Sequence, residues 1–110
     1  MTDLAVTTRR HDGRTLVTAS GEIDASTAVH LSRAAADALG HGRPVVLDLT
    51  AIAFMDCSGL WVLLNATREA RGRGLLLPIA ASHAVQRTVD IAEAGHSLSL
   101  HPDLATALAV

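Results

Sequence analysis

Lysine and tyrosine are absent from this 110-residue chain, and cysteine, tryptophan and phenylalanine occur once each. Each shortage excludes something. A lone cysteine, Cys57, cannot form an internal disulfide, which suits a reducing compartment. Without lysine the nine basic residues are all arginine, and no basic run is longer than Arg9-Arg10. Nucleic-acid binding needs a basic face; a formal charge of -2 and a pI near 6.3 give no sign of one. Arg71 and Arg73 fit a solvated helix end. No apolar stretch approaches the roughly 20 residues that cross a bilayer, and Asp3 stands where a signal peptide carries bases. These features predict a cytoplasmic protein that engages neither membrane nor nucleic acid.

What the chain has in quantity is small aliphatic surface. Of the 49% apolar residues, 20 are alanine and 16 leucine, so one core, closed by tightly packed helices, is expected within a single domain spanning residues 1–110. The six histidines (His11, His30, His41, His83, His96 and His101) include no pair at i, i+3 or i, i+4. They read as incidental surface residues, with no metal or cofactor site.

The rare residues are not scattered. Phe54, Cys57, Trp61 and the only methionine besides the first, Met55, all fall between Phe54 and Trp61, and the chemistry is sought there.

The pattern along the chain alternates. Leu4–Thr8 and Thr15–Ala19 are β-branched runs around His11-Asp12-Gly13-Arg14, a hairpin signal. From Ala25 to Gly40, Ala28, Leu31, Ala35, Ala38 and Leu39 recur at helical spacing, with Asp24 or Ser26 as N-cap and Gly40 as C-cap. Val45–Leu49 reads as a strand covered on both faces. A second helix over Ser58–Arg71 buries Leu60, Leu63, Leu64, Thr67 and Ala70. A turn at Gly72-Arg73-Gly74 leads to a strand over Leu75–Ile79. Ser82 caps a third helix that buries Val85, Val89 and Ala92 and ends at Gly95. A short strand over Ser97–Leu100 and a helix over Pro102–Leu108 complete the chain. Strands alternating with helices after a hairpin predict an α/β fold: a mostly parallel sheet of four or five strands, one antiparallel edge strand and about four helices.

Within this order, the segment Val45-Val46-Leu47-Asp48-Leu49 followed by Phe54-Met55-Asp56-Cys57-Ser58-Gly59-Leu60 resembles the signature of the STAS domain, specifically of bacterial anti-sigma factor antagonists. Gly21-Glu22-Ile23-Asp24 and Ala84-Val85-Gln86-Arg87 resemble weaker landmarks of that family, and the likeness runs from about Leu4 to Leu108. It implies the STAS fold and a non-enzymatic regulator. In the family, the serine matching Ser58 is phosphorylated by a partner kinase that is also the anti-sigma factor; the unphosphorylated form binds that partner and frees the sigma factor. A separate serine phosphatase would reverse the modification. Cys57 replaces a serine of the family pattern, His83 a frequent proline, and Trp61 a residue that is often small.

The residues themselves support a switch at Ser58. A serine at the start of a helix is accessible, and the local dipole tolerates a phosphate. A capping role alone is the plainer reading of a serine there. Asp56 reads as a capping acid, and Cys57 as a small, buried or half-buried stand-in for serine. A thiol nucleophile on Cys57 is disfavoured, because the Cys-x5-Arg of small phosphatases would need arginine where Leu63 stands. Phe54 and Met55 are expected to finish the buried approach to the turn. The partner-binding set is Glu22, Asp24, Asp56, Cys57, Ser58, Gly59 and Trp61, with Trp61 either an exposed anchor or a lid on the core. The protein is expected to be a monomer or weak homodimer. A STAS subunit of a transporter or stress-sensing assembly is the alternative.

Overall fold

Five strands lie in one sheet in chain order, β1 (Leu4–His11), β2 (Arg14–Ile23), β3 (Val45–Met55), β4 (Pro78–Ala81) and β5 (Ser99–His101). A computed structural model of the chain describes residues 3–110. β1 pairs antiparallel with β2, and every other neighbour is parallel. Between the strands run α1 (Ala28–Gly40), α2 (Cys57–Gly72), α3 (His83–Ile91), a 3-10 turn at Gly95–Ser97, and finally α4 (Leu104–Leu108). The expected mixed sheet with an antiparallel edge is therefore present. The hairpin turns where the sequence places it, with Asp12 and Gly13 both at positive φ (49° and 78°), the backbone that a two-residue hairpin loop needs.

Alternation along the strands divides the interior. Val17, Leu47, Leu49 and Ile79 point to one face, where Leu31 and Leu39 of α1, Leu60 and Leu63 of α2, and Val85 and Val89 of α3 cover them. The opposite face buries only Leu16, Val46 and Ala80, beneath Ala107 with Leu104 and Leu108 of α4. The α1 stripe is the one its spacing predicts. Neither aromatic residue belongs to either core.

Several boundaries differ from the pattern reading. α1 begins at Ala28 rather than Ala25, and its N-cap is Thr27 instead of Asp24 or Ser26. The Asp24–Thr27 stretch first closes as a turn, with the Ala28 amide donating to the Asp24 carbonyl at 2.8 Å. The Gly40 position is the last of the helix, and His41 is its C-cap. Leu75 and Leu76 are not strand: the Leu75 amide is drawn back to the Ala70 carbonyl at 2.8 Å to close α2, leaving Leu76 65% exposed. β4 starts only at Pro78. α3 ends at Ile91 and Ala92 is exposed, because Ala92 caps the helix and Glu93 follows at a φ of 55°. β5 begins at Ser99, since Gly95–Ser97 forms the 3-10 turn. α4 is capped by Asp103, one residue after Pro102; the backbone N–H and hydroxyl of Thr106 both donate to the Asp103 carboxylate and hold its pKa below the usual aspartate value.

The largest departure is β3, which runs to Met55 instead of ending at Leu49. Beyond Leu49 its buried residues are Ile52 and Met55, with Thr50, Ala51, Ala53 and Phe54 exposed. A period of three arises because the register with β2 slips twice: Thr18 and Ser20 pair with Asp48 and Ala51, and Gly21 and Glu22 pair with Ile52 and Phe54. Each slip inserts one extra β3 residue, a bulge, so the next core-facing residue comes three positions on rather than two.

Thr67 is buried at 6% exposure on the inner side of α2, and its hydroxyl is without a hydrogen-bond partner among the described residues. Thr67→Val keeps the shape and removes the unpaired group. It is expected to raise unfolding stability by about 1 kcal/mol, seen as a higher urea midpoint at unchanged m-value.

Candidate functional site

The parallel arrangement puts the ends of β2 and β3 side by side. Ile23 pairs with Met55, and the amide of Asp56 donates to the Ile23 carbonyl at 3.1 Å. The chain then turns straight into α2. Asp56 is the N-cap, its Oδ1 accepting from the Ser58 amide at 2.8 Å, while its carbonyl accepts from the Gly59 and Leu60 amides. The capping acid is thus Asp56, and Ser58 stands at the second position of the helix. The Ser58 side chain therefore holds nothing in place. It is half-buried, and its hydroxyl makes no hydrogen bond among the described residues.

Gly59 explains why the turn can sit so close to the sheet. A Cβ there would strike the Met55 Cγ and come within 2.9 Å of Ile23 Cγ2. Both neighbours are buried, so the first turn of α2 rests directly on the final core residues of two strands.

Around the turn, the structure brings most of the expected residues to one end of the sheet. Glu22, opposite Phe54 in the ladder, is exposed, and Asp24 follows it half-buried. The Asp24 carboxylate organises its own loop, accepting from the Ser26 amide at 2.9 Å and the Ser26 hydroxyl at 2.7 Å. Thr27 locks that loop from below by donating to the Glu22 carbonyl at 2.9 Å. Three acidic residues, Glu22, Asp24 and Asp56, therefore lie at one rim of the sheet, where β2 and β3 end.

Trp61 lies on the outer side of α2, 61% exposed, away from the core-facing Leu60 and Leu63. Of the two expected placements, the outward one is realised. Two others are corrected. Cys57 is exposed, because the first residue of α2 projects away from the sheet that Gly59 rests on. Phe54 is 48% exposed rather than buried, thrown outward by the second bulge, whereas Met55 is buried as expected.

Three residues outside the expected set also border the turn. Thr88 of α3 donates its hydroxyl to the Met55 carbonyl at 2.6 Å and fixes the backbone just before Asp56. Arg87 and Ile91 flank it, both exposed. Arg87 falls in the landmark Ala84-Val85-Gln86-Arg87, but neither that nor their place on the exposed side of the third helix reveals what lies beside these residues.

A Cβ at Gly59 would lift α2 from the sheet. Gly59→Ala is expected to cost about 1–3 kcal/mol of unfolding stability, measured by urea denaturation. Asp56→Ala, which removes the cap, is expected to cost about 1 kcal/mol.

The family model of the STAS domain matches residues 5–107. The anti-sigma-F factor antagonist RsfA of Mycobacterium tuberculosis (strain CDC 1551 / Oshkosh) is 32% identical over 109 residues, which span 96% of this chain and 85% of the relative. Among solved structures, that of an anti-sigma factor antagonist from Mycobacterium paratuberculosis superposes with a TM-score of 0.88 at 29% identity, covering 97% of this chain and 92% of that one. The anti-sigma factor antagonist SpoIIAA in its unphosphorylated form shares the fold, with a TM-score of 0.70 at 15% identity over 88% of each chain. With a family model matched over residues 5–107 and a relative 32% identical across 96% of this chain, the chain belongs to the STAS domain family, among the anti-sigma factor antagonists.

Proposed function

We propose that this protein antagonises an anti-sigma factor by binding it through the Ser58 turn, and that phosphorylation of Ser58 by that partner, a serine kinase, ends the binding. The observation that carries this reading is the division of labour in the turn. Asp56 supplies the cap, Gly59 the close packing and Thr88 the backbone tether, so the Ser58 hydroxyl is left uncommitted at an accessible helix start. The likeness to RsfA, named as an anti-sigma-F factor antagonist, supports the same reading.

The modification is a phosphoryl transfer. The Ser58 oxygen attacks the γ-phosphorus of ATP held by the kinase, ADP leaves, and the hydroxyl proton passes to a base of the kinase. The product carries about -1.5 to -2 added charge. The start of α2 tolerates it, since the helix dipole favours an anion there by about 0.3–1 kcal/mol, and no core contact of α2 involves Ser58. The fold therefore persists. Binding suffers, because the new charge joins Glu22, Asp24 and Asp56 on one rim. A partner surface shaped for that rim must then desolvate or oppose a denser cluster of negative charge.

Trp61 serves as an anchor in this reading, an aromatic group one helical turn from Ser58 with most of its surface in water. A serine phosphatase resets the switch. Among the described residues no helix is long and apolar enough to cross a membrane, and action in the cytoplasm fits the proposed partner.

Pull-down with Ser58→Ala and Ser58→Asp forms tests the switch. The alanine form is expected to retain a kinase and the aspartate form to lose it, while incubation of wild type with that kinase and ATP labels Ser58 alone. Equal recovery by both forms would favour a subunit role in another STAS assembly. Trp61→Ala is expected to change stability by less than about 0.5 kcal/mol yet weaken kinase binding by about tenfold or more; unchanged binding would remove Trp61 from the interface.

A further inference from the structure

The end of β3 and the facing side of α3 enclose an open groove of about 530 Å³, lined by Phe54, Met55, His83, Arg87, Thr88 and Ile91 together with two alanines. Three observations distinguish it from ordinary surface relief. Its two rims carry large apolar side chains in water, Phe54 at 48% and Ile91 at 74% exposure. Its one charged lining residue is a cation, Arg87, with the His83 ring beside it and no carboxylate. The Arg87 guanidinium makes no ion pair or hydrogen bond among the described residues, and the neighbouring Asp90 is engaged by the Gln86 side chain at 2.8 Å. Its walls are also fixed in advance: Ser82 caps α3 by accepting from the Val85 amide, and Thr88 ties the helix to the Met55 carbonyl.

From this we infer that the groove docks a segment of the kinase partner that carries an apolar side chain beside a carboxylate; the inference rests on the reading of the Ser58 turn as a partner site and assigns it a second contact. The apolar group fills the space between Phe54 and Ile91, removing both from water, and the carboxylate meets Arg87, whose planar guanidinium suits a two-point bond to it. Because the walls are already in place, docking orders little of this chain. The groove begins at Met55, the residue before Asp56, so one partner surface reaches both. The two contacts have opposite electrostatics. The rim of Glu22, Asp24 and Asp56 is acidic, whereas the groove is lined by a cation and favours an acid from the partner, and only the rim gains charge when Ser58 is modified.

Isothermal titration with the purified kinase that labels Ser58 tests the assignment. Variants Arg87→Glu and Ile91→Ser are compared with Arg33→Glu, an exposed charge reversal on α1. The groove variants are expected to weaken binding by about tenfold or more and Arg33→Glu to leave it unchanged, with all three melting as wild type. Raising the salt concentration is expected to weaken wild type more than Arg87→Gln, the signature of a lost ion pair. If Arg87→Glu and Ile91→Ser bind normally while Ser58→Asp does not, the groove assignment is wrong and the switch stands. If the groove variants lose binding while Ser58→Ala and Ser58→Asp bind alike, the groove stands and the switch reading fails.

Discussion

Everything at the functional end hangs from the parallel ladder between β2 and β3. Its last pair, Ile23 with Met55, is continued by the bond from the Asp56 amide to the Ile23 carbonyl, so the turn that follows is an extension of the sheet rather than a free loop. The same two residues form the floor on which Gly59 sets the first turn of α2. Parallel pairing also places the loop after β2 beside the loop after β3, which is why Glu22 and Asp24, over thirty positions before Ser58, share its surroundings. Ladder, floor and neighbouring acids are one construction, and loosening the Ile23–Met55 pair would disturb all three.

The chain's two aromatic residues acquire a different meaning in this setting. A small core usually gains much of its buried area from aromatic rings, yet this one closes with alanine, leucine, valine, isoleucine and a single methionine, and both rings lie outside it. Phe54 faces α3 on one side of the Ser58 turn, and Trp61 stands on α2 above it. Burying so many alanines lets the helices approach the sheet closely, so the core needs no ring. The large apolar side chains are consequently left on the surface, beside the proposed partner site.

How much of this can be read from residues alone varies with the kind of signal. Helix stripes are legible, because burial on one side of a helix repeats whatever it packs against; Leu31, Ala35 and Leu39 are examples. The Asp56 cap is legible for the same local reason. β3 beyond Leu49 is not. Its two bulges depend on the partner strand, and a strand with a period of three matches neither the alternating nor the helical template. That one gap also hides the exposure of Phe54 and the groove beside it. Cys57 misleads because chemical likeness to serine suggests packing like serine, whereas position on the helix decides exposure. Leu75 and Leu76 resemble a buried strand by composition, but the C-terminal closure of α2 takes the Leu75 amide first.

A consequence of the Gly59 contact concerns time. Many regulatory modifications act by ordering or melting a segment, and their response then includes the microseconds to milliseconds of that rearrangement. Here Ser58, the proposed acceptor, rides on a helix turn already pressed against two core side chains and bonded to the end of β2 through the Asp56 amide. A signal written on such a surface is complete when the covalent bond forms, and the delay before it is felt belongs entirely to the dissociation of whatever is bound.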